Sequence, residues 1–112
     1  MPRKNALLPV HLLSGQSMGA SVTGPWTDIG WLDNLVFNIA FTGTPTGTFA
    51  VQASPDQTLV QQIELSGTPT ASGAADDIRI EMNQVPDKFI RLVYTRTSGT
   101  GTLSCWISGK EV

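Results

Sequence analysis

Side chains able to do chemistry are few in this sequence, and their spacing is the first constraint on its function. His11 is the single histidine and Cys105 the single cysteine. A nucleophilic triad needs a histidine base beside a serine or cysteine. His11 lies in the apolar context Val10-His11-Leu12, which suits a packed or hydrogen-bonded ring, and Cys105 shares a phase with Leu103 and Ile107, which suits a small core residue. Zinc needs at least three nitrogen or sulfur ligands, so this pair cannot supply a zinc site. Asp76-Asp77 could join Asp56 or Asp87 as oxygen ligands, yet no segment alternates ligands around a glycine turn as a calcium loop does. A solvated loop end is the simpler reading. No carboxylate pair sits beside the aromatic residues in a way that marks a sugar-cleaving cleft, and Gly99-Thr100-Gly101 lacks the lysine and following helix of a phosphate loop. No catalytic residue, metal or cofactor is therefore expected, and the chain is not expected to be an enzyme.

What remains is surface chemistry: Trp26, Trp31, Trp106, threonine-rich turns, the N-terminal segment and strand edges. Aromatic side chains with a polar tip suit the centre of an interface, and an unpaired edge can accept a partner's strand. Trp26 and Trp31 fall on opposite phases if Thr27-Asp28-Ile29-Gly30 is extended, which places one in the core and the other partly at the surface.

The elements that position these residues read as strands. Glycine, proline, threonine and serine recur every few positions and no window sustains helical spacing. Leu35, Phe37, Ile39 and Phe41 alternate with more polar neighbours, and Gly43-Thr44-Pro45-Thr46-Gly47 leads into Thr48 to Ala53 with Phe49 and Val51 inward, a pattern that predicts a hairpin. Ser54-Pro55-Asp56-Gln57 predicts a turn, followed by a strand over Leu59 to Leu65 with Leu59, Ile63 and Leu65 on one phase. Ser66 to Ala75 predicts a mobile loop, and Ile78, Ile80 and Met82 a short strand with Arg79 and Glu81 on its polar face. Lys88 to Thr95, apolar on both phases, predicts a strand near a sheet centre, paired through Ser98-Gly99-Thr100-Gly101 with Thr102 to Ser108 in a second hairpin. The two predicted hairpins echo one another: an aromatic residue and Thr enter a glycine-bearing turn, and Gly-Thr-apolar leaves it. Residues 1–13 are expected to form an N-terminal arm or edge strand, since Pro9 removes a ladder donor, and 14–112 a single domain. The class is all-β, an antiparallel, jelly-roll-like sandwich.

Composition narrows the partners. Seven Lys and Arg against nine Asp and Glu give a formal charge of −2, too weak a field to gather nucleic acid. Charged residues make up 14% of the chain, below the ~25% of ordinary soluble domains, so repulsion between packed copies is low. One cysteine allows no internal disulfide, Pro9 and His11 interrupt the apolar stretch a secretory signal would need, and no run is long enough for a membrane helix. A soluble protein made in the cytoplasm is expected, without membrane or nucleic acid partners.

The run Phe37 to Asp56, with Phe89 to Arg96 and Ser98 to Leu103, resembles small virion proteins of tailed bacteriophages. In size and class the chain is most similar to the capsid decoration, or cement and staple, proteins of short-tailed phages. That resemblance implies a non-enzymatic virion protein on the capsid exterior, binding the major capsid protein and holding neighbouring coat subunits together, often as a homodimer. It carries no residue-level motif. The expected contacts come instead from composition: Arg3, Lys4, Leu7, Leu8 and Val10 in the N-terminal segment, Thr68, Pro69 and Thr70 in the loop, and Trp26 or Trp31 as anchor. A tail-fibre receptor-binding or carbohydrate-binding module is the alternative, and a small hydrolase a weaker one.

Overall fold

The structure, a computed structural model, describes residues 6–29, 34–63, 65, 68–82 and 88–110. Ten strands follow in chain order: β1 (Ala6–Ser17), β2 (Val22–Thr23), β3 (Thr27–Asp28), β4 (Asn34–Gly43), β5 (Thr46–Ser54), β6 (Gln61–Ile63), β7 (Thr70–Ser72), β8 (Asp76–Met82), β9 (Phe89–Ser98) and β10 (Gly101–Lys110). They form two antiparallel sheets, β1-β10-β4-β8 and β2-β9-β5-β6, with β3 added to β9 and β7 to β5. The chain is an all-β sandwich.

Two-residue alternation builds the core between the sheets. Leu35, Phe37, Ile39 and Phe41 of β4 are buried, as are Leu103, Cys105 and Ile107 of β10, and they meet Phe49 and Val51 of β5 and Ile90, Leu92 and Tyr94 of β9. Burying a side chain of this size contributes about 1.5–3 kcal/mol each. Phe49 lies against both Phe41 and Tyr94, with ring centroids 5.7 and 5.0 Å apart.

The expected hairpins do not form. β4 pairs with β10 and β8, while β5 pairs with β9, β6 and β7, so the chain crosses from one sheet to the other at Thr44-Pro45. It crosses back at Gly99-Thr100, between β9 and β10. The two crossings interlock: the Thr44 amide donates to the Thr100 carbonyl at 2.8 Å, and the Thr42 and Thr102 hydroxyls share a hydrogen bond of 2.6 Å.

This arrangement explains the sequence echo. Aligning the two runs matches Phe41 with Tyr94 and Leu103 with Phe49. In the sheets Phe41 pairs with Leu103 and Tyr94 with Phe49; Thr42 pairs with Thr102 and Thr95 with Thr48. The echoed residues are thus related by an approximate two-fold axis, and the similar sequences build two arches that pair with each other, not within themselves.

Gly47 lets the Tyr94 ring approach closely: a Cβ there would lie 2.7 Å from the ring and 2.8 Å from its hydroxyl. Tyr94 is fully buried, and its hydroxyl has no hydrogen-bond partner among the described residues. Burial pushes its pKa up, an effect that the charge of Arg96 partly opposes. Tyr94→Phe removes a desolvated hydroxyl and keeps the ring, so stability in urea is expected to stay within about 1 kcal/mol of the parent or to rise. A loss of several kcal/mol would show that the hydroxyl is satisfied in solution.

Two other expectations change. The strand over Leu59 to Leu65 contracts to Gln61–Ile63, and Leu59 and Val60 are exposed. The reason is the preceding turn: Asp56 Oδ1 accepts hydrogen bonds from the Thr58 and Leu59 amides, which curls the chain away from β5. Those bonds also hold the Asp56 carboxyl below its usual pKa. The loop Ser66 to Ala75 contains β7, which pairs with β5 and buries Ala71.

Candidate binding face

The outer face of the four-stranded sheet carries a row of side chains set by register. His11 pairs with Trp106, Trp106 with Asn38, and Asn38 with Arg79, so one rung crosses β1, β10, β4 and β8. Each stands outward because its neighbours stand inward: Cys105 and Ile107 beside Trp106, Phe37 and Ile39 beside Asn38. The His11 and Trp106 rings stack with centroids 4.5 Å apart and planes 6° from parallel. Trp106 also borders an open groove of about 320 Å³, lined on its other sides by Asn38, Ala40, Asp77 and Arg79. The face thus combines an aromatic wall, an amide, a guanidinium and a carboxylate. Arg79 Nε is 2.7 Å from Glu81 Oε1 along the same strand.

A second aromatic patch lies on the outer face of the other sheet. Trp26, half-buried, sits under the Arg91 guanidinium, 4.2 Å from ring centroid to carbon. Arg91 is held from the side by Gln52, whose Oε1 accepts from its Nε at 2.8 Å. Gln52 and Arg91 are cross-strand partners, outward because Val51, Ala53, Ile90 and Leu92 are buried. With both side chains half-buried, a guanidinium over an indole is worth about 1 kcal/mol and pre-orders both side chains.

The sequence-expected contacts do not converge on one site. Arg3, Lys4 and Trp31 lie outside the described residues, as does Asp87. Leu7, Leu8 and Val10 belong to β1, which is a paired edge strand continuing to Ser17, and Val10 is exposed. Thr68 and Pro69 instead border a groove along β5 with Thr48, Gln62 and Leu65, and Thr70 begins β7. Trp26 flanks β9 toward the opposite edge of that sheet. Sequence reasoning missed His11, Asn38 and Arg79 as surface partners of Trp106. Alternation placed Trp106 and Arg79 on polar faces, but only the pairing of β1 with β10, β10 with β4 and β4 with β8 brings the four together.

The residues considered for catalysis stay apart. His11 is on the outer face, whereas Cys105 is fully buried between the sheets. Burial pushes the Cys105 thiol up to about 12 from an ordinary 9.0. Stability from this burial is complete below pH ~9 and declines as pH rises toward ~12, because the unfolded chain then gains by ionising. Native protein at pH 8 is accordingly expected to react with a thiol-specific reagent at least about tenfold more slowly than the urea-unfolded chain. Equal rates would place the thiol at the surface. Among the described residues no three His, Cys, Asp or Glu side chains cluster as metal ligands, and no helix is long and apolar enough to cross a membrane.

No protein-family model matches the chain, and no curated protein sequence matches it.

Proposed function

We propose that this chain is a non-enzymatic virion structural protein that docks on the outside of a phage capsid and staples neighbouring major capsid protein subunits. The observation that carries the proposal is the pair of aromatic-centred patches on the outer faces of the two sheets, Trp106 with His11 and Trp26 with Arg91. A staple needs two surfaces that can engage two neighbours at once, and a sandwich holds such faces back to back on a rigid core. Linked contacts made in parallel give occupancy that neither would give alone. Mass action then favours the assembled shell, where both contacts exist together. The groove beside Thr68 and Pro69, with Leu59 and Val60 exposed nearby in sequence, offers a further contact at the edge.

A second reading, a receptor-binding or carbohydrate-binding module of a tail fibre, is favoured by the groove beside Trp106, where an indole and Asn38, Asp77 and Arg79 side chains converge as a sugar ring requires. Purified chain should co-sediment with capsids lacking it and raise their resistance to heat or pressure. Glycan-array binding without capsid binding would replace the first reading with the second. Because β1 is paired along its length with β10, removal through residue 13 would strip a strand from the sheet. Removing only residues 2–5 tests Arg3 and Lys4, and the staple reading expects reduced capsid occupancy.

A further inference from the structure

We infer that two copies of this chain associate through their β8 edges, in antiparallel register centred on Ile80, to make one continuous sheet across the pair. The inference is independent of the capsid reading. It starts from how the sheet edges are finished. An exposed edge strand is a template for another chain, and proteins blunt such edges with bulges, proline or very short strands. β1 is blunted by Pro9 and by register shifts at three places along its pairing with β10. The described strands bordering the other sheet, β2, β3, β6 and β7, are two or three residues long. β8 differs from all of these. Its seven residues pair with β4 in unbroken register, and no described strand pairs with its other side.

The side chains of β8 select both the partner and the register. Ile78, Ile80 and Met82 face the core, and Arg79 and Glu81 face outward. Only registers pairing like-facing residues keep both copies' cores on one side, so the two-fold must pass through a residue pair. Centring on Arg79 opposes two guanidinium groups and sets Asp77 against Glu81. Centring on Glu81 opposes two carboxylates. Centring on Ile78 pairs Asp77 with Arg79 but sets Asp76 against Ile80, a carboxylate against the apolar strip. Centring on Ile80 sets Ile80 against Ile80, Ile78 against Met82, and Arg79 against Glu81 twice. The apolar strip is then continuous across the junction, and the existing Arg79–Glu81 ion pairs join into a four-membered network. Their side chains are 64% and 63% exposed, so they are free to reach across the pair.

An edge of this length makes a small interface, below the ~1,200 Å² of stable complexes, so the dimer is expected to be weak, with a dissociation constant on the order of 10–100 μM. Sedimentation velocity over a concentration series should show a monomer–dimer equilibrium in that range. Arg79→Glu, which places four carboxylates around the junction, should weaken the dimer at least about tenfold, while Arg79→Glu/Glu81→Arg should restore it to within about threefold. Both positions are exposed, so the monomer fold should persist by circular dichroism. Hydrogen exchange of the parent chain gives a readout that needs no variant: alternate β8 amides should gain protection between dilute and concentrated samples. A chain that stays monomeric near 1 mM, a dimer indifferent to Arg79→Glu, or failure of the double exchange to restore it would each overturn the inference. Restoration by Arg79→Glu/Asp77→Arg instead would also do so, since it would mean a register centred on Ile78.

Discussion

Gly99→Ala is expected to destabilise the chain by about 3 kcal/mol or more, enough to unfold a marginal domain of this size near physiological temperature. Two causes add. Gly99 has a φ of +78°, in the left-handed region, where a side chain meets its own backbone. The second cause is the interlocked crossing: a Cβ at Gly99 would run into the Thr44 carbonyl oxygen, which is backbone and cannot rotate away. Thr44 cannot retreat, because its own amide is bonded to the Thr100 carbonyl and Pro45 follows it in the core. Gly101→Ala should act alike, since its Cβ would meet the Thr42 carbonyl oxygen. Gly15→Ala is the control. Gly15 also has a positive φ, +62°, but nothing lies within 4 Å of its would-be Cβ, so only the backbone cost of about 1 kcal/mol is expected. Thermal or urea unfolding of the three variants separates the terms. If Gly99→Ala lost no more than Gly15→Ala, the two arches would not be locked together as described.

That comparison also shows what could be seen in the sequence and what could not. Alternation is a local property, and it identified the inward residues of β4, β5 and β10 before any pairing was known, because one face of each strand must be apolar to reach the core. β9, apolar on both phases, offered no such choice, and it buries Ile90, Leu92 and Tyr94. Pairing is not local. Gly43-Thr44-Pro45-Thr46-Gly47 carries the composition of a hairpin turn, and a crossing between stacked sheets uses the same residues for the same reason, a sharp change of direction without steric conflict. The echo between the two runs held the missing information. Its aligned residues, Phe41 with Tyr94 and Phe49 with Leu103, lie in different sheets, and each pairs across strands with a residue of the other run, which a pair of separate hairpins would not produce. The binding face was half legible for a related reason. Trp106 stood on the polar phase of its strand, but its neighbours His11 and Arg79 are distant in sequence and meet it only through register. The short strand β6 and the exposed Leu59 follow from a side chain, Asp56, bonding the backbone ahead of it, and a hydrophobic residue at the right phase could not reveal that.

A staple with two separate contacts makes a demand that a one-sided binder does not. Trp106→Ala and Trp26→Ala should each weaken capsid binding by roughly 10- to 100-fold, the effect of losing an aromatic anchor at the centre of a contact. Each single variant should still bind through its remaining face at high concentration, yet neither should raise the shell's resistance to heat or pressure, because bridging needs both faces on one molecule. The double variant should not sediment with capsids at all. Both indoles are half-buried on outer faces, so the core between the sheets is untouched and the variants should still fold, with a loss of about 1–2 kcal/mol from the missing ring contacts. Trp106→Phe refines the test: it keeps a ring against His11 but loses the indole N–H and part of the groove wall, so partial binding is expected. The decisive quantity is the split between occupancy and stabilisation. If either single variant binds at full occupancy and stabilises the shell as the parent does, its patch is not a contact, and the chain holds the capsid by one face only. If occupancy and stabilisation fall in proportion for both, the two patches form one continuous contact and bridging plays no part.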